Sequence, residues 1–114
     1  MVSGKYNRVK GHTFEREVAA AFREALSDPT IKRTIQYRGG ASEGADVVAG
    51  PFHIECKRQK QPRILSAYEQ AARDCAEGGY PVAVTKASRA DALVTLSLED
   101  FLEIVTELWE LRGQ

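Results

Sequence analysis

Three charged residues, Asp46, Glu55 and Lys57, stand in a segment whose other side chains are mostly apolar. The segment is typical of two buried strands, 46–49 and 52–57, joined by a glycine–proline turn. Burial of an ionised group costs free energy unless the group is paired or holds a metal ion. The three charged side chains therefore need a chemical role.

The hairpin brings these side chains together. Successive side chains of a strand point to opposite faces, so His53, Glu55 and Lys57 share one face, while the apolar residues between them face the core. Asp46 begins the neighbouring strand, and the short turn holds the two strands side by side. We expect the carboxylates of Asp46 and Glu55 to lie close enough to share a metal ion. A histidine in a sheet is more often hydrogen-bonded than catalytic, so His53 is not assigned a role.

A fourth charged residue, Glu15, lies on the apolar side of the first predicted helix. Apolar residues recur every four positions from Phe14 onward, and at about 100° per residue Glu15 falls within their arc, whereas Glu17 lies to its side. A carboxylate on a buried stripe needs a partner. A cation shared with Asp46 and Glu55 would provide one.

Such a cluster suits one kind of chemistry. Carboxylate oxygens without cysteine or histidine pairs favour Mg²⁺, with Mn²⁺ as a substitute, over zinc. These ions polarise a phosphoryl oxygen and acidify a water, and a lysine two residues beyond a ligand can orient that water or neutralise charge on phosphorus. The pattern predicts phosphodiester hydrolysis. The structural alternative is a buried ion pair with a spare carboxylate.

The elements that position these residues follow the order αβββαββα, which implies an α/β fold with a central mixed sheet flanked by helices. Ser97, with Asp100 three residues later, is typical of the start of the last helix. Helices are predicted at 12–27, 64–76 and 98–111, and strands at 33–37, 46–49, 52–57, 81–85 and 93–96. In the second helix, Gln70 projects opposite the apolar face. In the last helix, we expect the broad apolar stripe that includes Trp109 to be mainly core.

The bulk properties exclude several classes of protein. A chain of 114 residues suits one domain, and it contains no apolar run near the roughly 20 residues that span a bilayer. Cys56 and Cys75 lack the spacing of a zinc site, so we expect reduced thiols and a cytoplasmic location. The formal net charge is zero, but up to Arg63 basic residues outnumber acidic ones 12 to 7, and beyond it acidic residues outnumber basic ones 9 to 4. The first part of the chain could therefore form a basic face for a polyanion.

These motifs resemble a known nuclease family. Asp46 and the segment Glu55–Lys57 have the form of the PD-(D/E)xK core, with Ala45 where the name of the motif has proline. More closely, the chain resembles the archaeal-type Holliday-junction resolvases, including versions encoded by viruses and phages. Their opening motif is similar to residues 10–16, and their glycine- and serine-rich loop with its aspartate strand is similar to residues 38–46.

The resemblance, which covers residues 10 to about 60 well, implies a restriction-endonuclease-like core and a set of roles. The implied metal ligands are Glu15, Asp46, Glu55 and the backbone carbonyl of Cys56. Lys57 would be the catalytic lysine, and Ser42 would sit in a loop over the site. We expect a single nuclease domain over residues 1–114, with residues 1–10 as a flexible basic arm.

The resemblance also implies the substrate and the partner. Such resolvases are homodimers that cut opposed strands of a four-way DNA junction, without a small-molecule cofactor or a membrane. If the chain is viral, its location would be the host cytoplasm. Six basic residues flank the site in sequence and are expected to contact DNA phosphates together with Ser42: Arg8, Lys10, Arg38, Arg58, Lys60 and Arg63.

Three alternatives remain open at this point. The chain could be a PD-(D/E)xK nuclease for nicked, flapped or ordinary duplex DNA. It could be a DNA-binding module without turnover. It could also be an interaction domain whose four charged residues form only an ion-pair cluster, which would show no salt-sensitive affinity for DNA.

Overall fold

The computed structural model describes residues 4–34 and 44–113, with side chains described from residue 12 onward. Three helices and four strands alternate along this part of the chain. Their order is α1 (Gly4–Leu26), β1 (Val47–Ala49), β2 (Phe52–Arg58), α2 (Ile64–Asp74), β3 (Tyr80–Lys86), β4 (Leu93–Thr95) and α3 (Leu98–Leu111).

The four strands form one mixed sheet in the order β1-β2-β3-β4. The β1–β2 and β3–β4 pairs are antiparallel, whereas β2 and β3 run parallel and are joined through α2. A parallel pair needs such a crossover because its second strand must start at the same end of the sheet as the first. The predicted α/β fold with a mixed central sheet is confirmed.

The two faces of the sheet are covered by different helices. Phe14 and Val18 of α1 pack in one buried cluster with Ile54 of β2 and with Val82 and Val84 of β3. The alternate residues of these strands face the other way, toward α2, which buries only two alanines, Ala67 and Ala71. The face that carries Glu55 is therefore the α2 face.

The helices differ from their predicted positions in two respects. Helix α1 begins at Gly4, eight residues before its predicted start, so residues 4–10, which we expected to form a flexible arm, are helical. Helix α2 does not bury its larger apolar residues, since Leu65 is 69% exposed. The projection that placed Gln70 away from the sheet was wrong, because small alanines rather than leucine and isoleucine make the contact with the sheet.

The predicted strand at 33–37 lies largely outside the described residues. What is described is an isolated bridge between Arg33 and Val47, and a hydrogen bond from the Thr34 N–H to the Asp46 carbonyl. Residues 33–34 therefore run antiparallel to the start of β1. They hold the backbone of Asp46 from the side opposite to β2.

Helix α3 begins where predicted, but its apolar stripe is not buried as expected. Its start is confirmed, because the Ser97 side chain accepts a hydrogen bond from the Asp100 N–H at 3.0 Å. Its apolar stripe, however, is not core: α3 has no buried residue, and Leu98, Leu102 and Trp109 are each at least half exposed. No helix in the described part of the chain is long and apolar enough to span a membrane.

Candidate active site

The site forms where β1 and β2 enter the sheet. Val47 pairs with Ile54 in the antiparallel register, so the preceding residue, Asp46, stands opposite Glu55. The Asp46 Oδ2 atom accepts a hydrogen bond from the Cys56 N–H at 2.9 Å. This bond fixes the Asp46 carboxylate against the backbone of the strand that carries Glu55 and Lys57.

Glu55 is the most buried charged residue of the site. It is 2% exposed, and its Oε1 atom accepts a hydrogen bond from Nε2 of Gln70 on α2 at 2.7 Å. Its Oε2 atom is buried and has no hydrogen-bond partner. Burial, followed by the negative charge of Asp46, raises the pKa of Glu55 to about 8. The carboxylate thus lacks a positive partner at the free oxygen.

The pKa of Asp46 is also raised. Burial is the largest cause that raises the pKa of Asp46, and it outweighs the Cys56 N–H bond and the charge of Lys57, which both lower it. Lys57 also lowers the pKa of Glu55. The positive charge of Lys57 therefore acts on two carboxylates. Two negative charges opposite one lysine favour the binding of a further cation.

Glu15 reaches the site from α1. Its Oε1 atom lies 3.5 Å from a guanidinium nitrogen of Arg33, and its side chain is 15% exposed, compared with 53% for Glu17. Burial and the charge of Asp46 raise the pKa of Glu15 to about 7, although Arg33 and Lys57 act in the opposite direction. Glu15 thus faces inward, and Arg33 already pairs with it.

The donor set can be tested against a divalent cation. No group of three or more histidine, cysteine, aspartate or glutamate side chains among the described residues is arranged to hold a metal ion. Two adjacent carboxylates are nevertheless present, and the Oε2 atom of buried Glu55 is a hard oxygen donor without a hydrogen-bond partner. Carboxylate oxygens such as those of Asp46 and Glu55 are donors of the kind that hard divalent cations bind. The Cys56 thiol is no nucleophile, because burial raises its pKa.

The predicted DNA contacts fall into three groups. Arg63 lines a cleft of about 240 Å³ beside Lys57, together with Gln59, Ser66, Ala67 and Gln70. Arg58 and Lys60 are exposed at the end of β2, and Arg58 lies 3.8 Å from Glu17. The remaining predicted contacts are not described in side-chain detail: Arg8 and Lys10 belong to α1, whereas Arg38 and Ser42 lie outside the described residues.

Sequence reasoning set Gln70 aside because of its helical projection, and it did not consider Asp74 or Arg33. Gln70 contacts the site from α2, Arg33 contacts it from the segment before β1, and Asp74, at the end of α2, acts on Glu55 through its negative charge. For Gln70 and Asp74 the helical spacing offered a signal. They are four residues apart, so they lie on one side of α2, next to the side that carries Ala67 and Ala71. For Arg33 we find no such signal. Of the two histidines, His12 is exposed, and the His53 ring packs against Gly79 so closely that no side chain would fit there.

The comparisons with known proteins agree with this geometry. Residues 6–110, nearly the whole chain, match the family described as "Phage putative PDDEXK endonuclease". No curated protein and no solved structure matches the chain significantly. The family match spans α1, the hairpin with Asp46, Glu55 and Lys57, and most of α3. The chain therefore belongs to the phage PDDEXK endonuclease family.

Proposed function

We propose that this chain is a Mg²⁺-dependent endonuclease that hydrolyses phosphodiester bonds in branched DNA, with four-way junctions as its substrate. The observation that carries the hydrolytic part is the buried, unpartnered Oε2 atom of Glu55, which stands beside Asp46 and Lys57. A buried carboxylate oxygen without a partner is costly in a purely structural role. It is readily explained if a cation binds there during function.

Each residue then has a distinct role. Asp46, Glu55 and the Cys56 carbonyl would hold the cation, with Glu15 completing the set from α1; Mn²⁺ could replace Mg²⁺. When bound, the cation supplies positive charge that polarises a phosphoryl oxygen and makes a water more acidic. Lys57 shares the strand face of Glu55 and would orient the attacking water or neutralise charge on the phosphorus. Gln70 would hold Glu55 in place through its Oε1 atom.

The cleft beside Lys57 supports a path for the DNA backbone. Arg63 lines it, and Arg58 and Lys60 lie exposed at the end of the same strand. Contacts of this kind position a duplex without reading its bases. The substrate would thus be selected by the shape of the DNA.

Two features support a junction as that shape. The segments 10–16, 38–46 and 54–57 resemble those of archaeal-type junction resolvases. The apolar surface of α3 and β4 is suited to bind a second copy of the chain, since Leu93, Val94, Leu98 and Trp109 are all more than half exposed. A two-fold homodimer would present two sites to the opposed strands of a junction.

Cleavage of a labelled four-way junction, beside a linear duplex of the same sequence, tests this function. The assay includes Mg²⁺ or EDTA, and the variants Asp46→Asn and Lys57→Ala. Glu69→Gln, an exposed carboxylate on α2, is the control. We expect paired cuts in the junction alone, lost with EDTA and with either site variant but kept in the control.

Other outcomes separate the alternatives. Equal cutting of junction and duplex would keep the hydrolytic site but remove the junction specificity. Tight, salt-sensitive binding without any cutting would leave a DNA-binding module. Absence of both would reduce the four charged residues to an ion-pair cluster.

A further inference from the structure

The turn between β3 and β4 lies at the edge of the sheet where β2 ends, next to the candidate site. Strands β2 and β3 run parallel and end side by side, with Arg58 paired to Lys86. Just beyond the two strands, the Ser88 N–H donates to the Lys60 carbonyl at 3.4 Å. The turn at residues 87–90 therefore sits directly beside the segment that follows β2.

This contact joins two separate parts of the sequence into one basic surface. Residues 57–63 contain four basic residues and no acidic one, and residues 86–91 add two basic residues and one acidic residue. Half of the four basic residues beyond Arg63 thus lie at this turn, although that part of the chain is acidic as a whole. A surface of one charge attracts a polyanion. We call this surface the basic edge, and its members are Lys57, Arg58, Lys60, Arg63, Lys86 and Arg89.

Arg89 has a backbone conformation that arginine rarely adopts. Its φ angle is 59°, in the left-handed region, and the Ala90 N–H donates to the Ala87 carbonyl at 3.2 Å to close the turn. Glycine adopts this conformation without steric cost and is the usual residue at such a turn position, whereas a side chain there is strained. Strained residues of this kind concentrate at functional sites. An arginine at this position indicates that its side chain has a use.

The turn presents the charge of Arg89 to solvent. Arg89 is exposed, and no salt bridge within the described part of the chain includes it. Lys86 has a different part, because its Nζ atom donates to the Ala90 carbonyl at 2.7 Å and so supports the turn. Lys60 is also exposed, on the neighbouring segment. Arg89 and Lys60 are therefore the two members of the basic edge that stand together at its outer end.

We propose that Arg89, together with Lys60, binds a DNA backbone phosphate near the one that is cut. This inference rests on the proposed function, since it takes DNA as the substrate of the adjacent site. Lys60 follows Lys57 by three residues, which span at most about 10 Å. That length is roughly the axial rise of three nucleotides along one DNA strand. Arginine suits the role, because it makes charge-assisted hydrogen bonds to phosphate oxygens and such contacts read no base.

The salt dependence of DNA binding tests the proposal without a cleavage assay. Affinity of the full chain for a labelled four-way junction is measured by fluorescence anisotropy in Ca²⁺ at several salt concentrations. The variants are Arg89→Gly, Arg89→Gln and Arg89→Lys. Glycine removes the strain together with the charge, so Arg89→Gly should resist urea at least as well as wild type. Arg73→Gln is the matched control, because it removes an exposed arginine in the last turn of α2, away from the basic edge.

We expect Arg89→Gly and Arg89→Gln to reduce the slope of log affinity against log salt by about 0.9, the value for one lost phosphate contact. Arg89→Lys should keep most of the slope, and Arg73→Gln should keep all of it. An equal fall in Arg73→Gln would reduce the effect to overall charge and overturn the contact. If Arg89→Gly and Arg89→Gln keep the wild-type slope, the contact does not exist, and the proposed function stands without it. If wild type shows no salt-sensitive binding, both the contact and the proposed DNA substrate are wrong.

Discussion

At the scale of single residues, the site is built around the burial of Glu55. A glutamate that is 2% exposed and has one unpartnered oxygen is unfavourable for folding. Strongly perturbed carboxylates of this kind concentrate at functional sites, because the same environment that raises the pKa creates affinity for a cation. Stability is reduced locally, and under the proposed function the same carboxylate would bind the cation.

Gln70 gives the first prediction at this scale. Its Nε2 atom donates to Glu55 at 2.7 Å, so Gln70→Ala removes the hydrogen bond that orients the carboxylate. We expect cleavage to slow by about 10- to 100-fold, with DNA affinity nearly unchanged, because Gln70 acts through a cation ligand. Single-turnover rates and DNA binding in Ca²⁺ provide the two measurements. Equal losses in rate and DNA affinity would assign Gln70 to DNA contact instead.

The raised pKa values predict how stability depends on pH. Glu15 and Glu55 titrate at about 7 and about 8 in the folded chain, compared with an ordinary value of 4.5. At a pH between 4.5 and the raised pKa, the folded protein binds more protons than the unfolded chain. The free energy of unfolding therefore falls as pH rises from about 4.5 to about 8. Urea denaturation in EDTA measures this decline.

Variants isolate the contribution of Glu55 to this decline. Glu55→Gln cannot ionise, so its free energy of unfolding should fall less steeply over the same range than that of wild type. Glu69→Gln should keep the wild-type slope. Added Mg²⁺ should flatten the wild-type curve, since the cation binds the ionised form. A wild-type stability that rises relative to Glu55→Gln as pH increases would contradict the prediction.

At the scale of elements, the polar side of α2 lies near the site because only small side chains separate the helix from the sheet. Ala67 and Ala71 are 3% and 0% exposed, so the helix backbone lies close to the sheet. Gln70 precedes the second of these alanines and can therefore reach Glu55 with its side chain. A larger residue at either alanine would push the helix outward and overpack the contact.

The start of α3 gives a prediction for one element. The Ser97 hydroxyl accepts from the Asp100 N–H at 3.0 Å, and Ser97→Ala removes this N-cap. We expect the free energy of opening α3 to fall by about 1 kcal/mol. Hydrogen exchange of the α3 amides measures it, with Ser88→Ala, at an exposed loop position, as the control. Unchanged exchange in α3 would show that the cap contributes nothing there.

At the scale of the whole molecule, apolar surface and charge are distributed unevenly. The basic excess lies in the first part of the chain, with the candidate site, and the acidic excess lies beyond Arg63. Helix α3 carries four glutamates, at positions 99, 103, 107 and 110, as well as its exposed apolar residues. An acidic surface repels DNA, so we expect DNA to approach the basic part and α3 to remain available for a protein partner.

A substitution on α3 tests whether that partner is a second copy. Leu98, Leu102 and Trp109 share one side of the helix, at 71%, 51% and 60% exposure. We expect Leu102→Glu to shift a dimer toward monomer in sedimentation velocity, because it places a charge in an apolar interface. Leu65→Glu introduces the same charge at a leucine on α2 that is 69% exposed, and it should leave the assembly unchanged. A wild-type chain that sediments as a monomer at all concentrations would rule out the dimer.

The amino-acid sequence by itself determined the fold class and the central carboxylates. Alternation along the hairpin placed Asp46 opposite Glu55 and put Lys57 on the same face, because strand periodicity and a tight turn are local properties. The Ser97 cap and the presence of strands β2 and β3 followed from equally local signals.

Only the tertiary structure decided what faces the site from elsewhere. The orientation of α2 depends on which of its sides packs most closely against the sheet. The side with the small alanines is buried, whereas the more hydrophobic Leu65 is exposed. This rotation brought Gln70 to Glu55, and the approach of residues 33–34 to β1 brought Arg33 to Glu15. The exposure of α3 is likewise a property of packing. Contacts between distant segments depend on how whole surfaces fit, and no local periodicity encodes that fit.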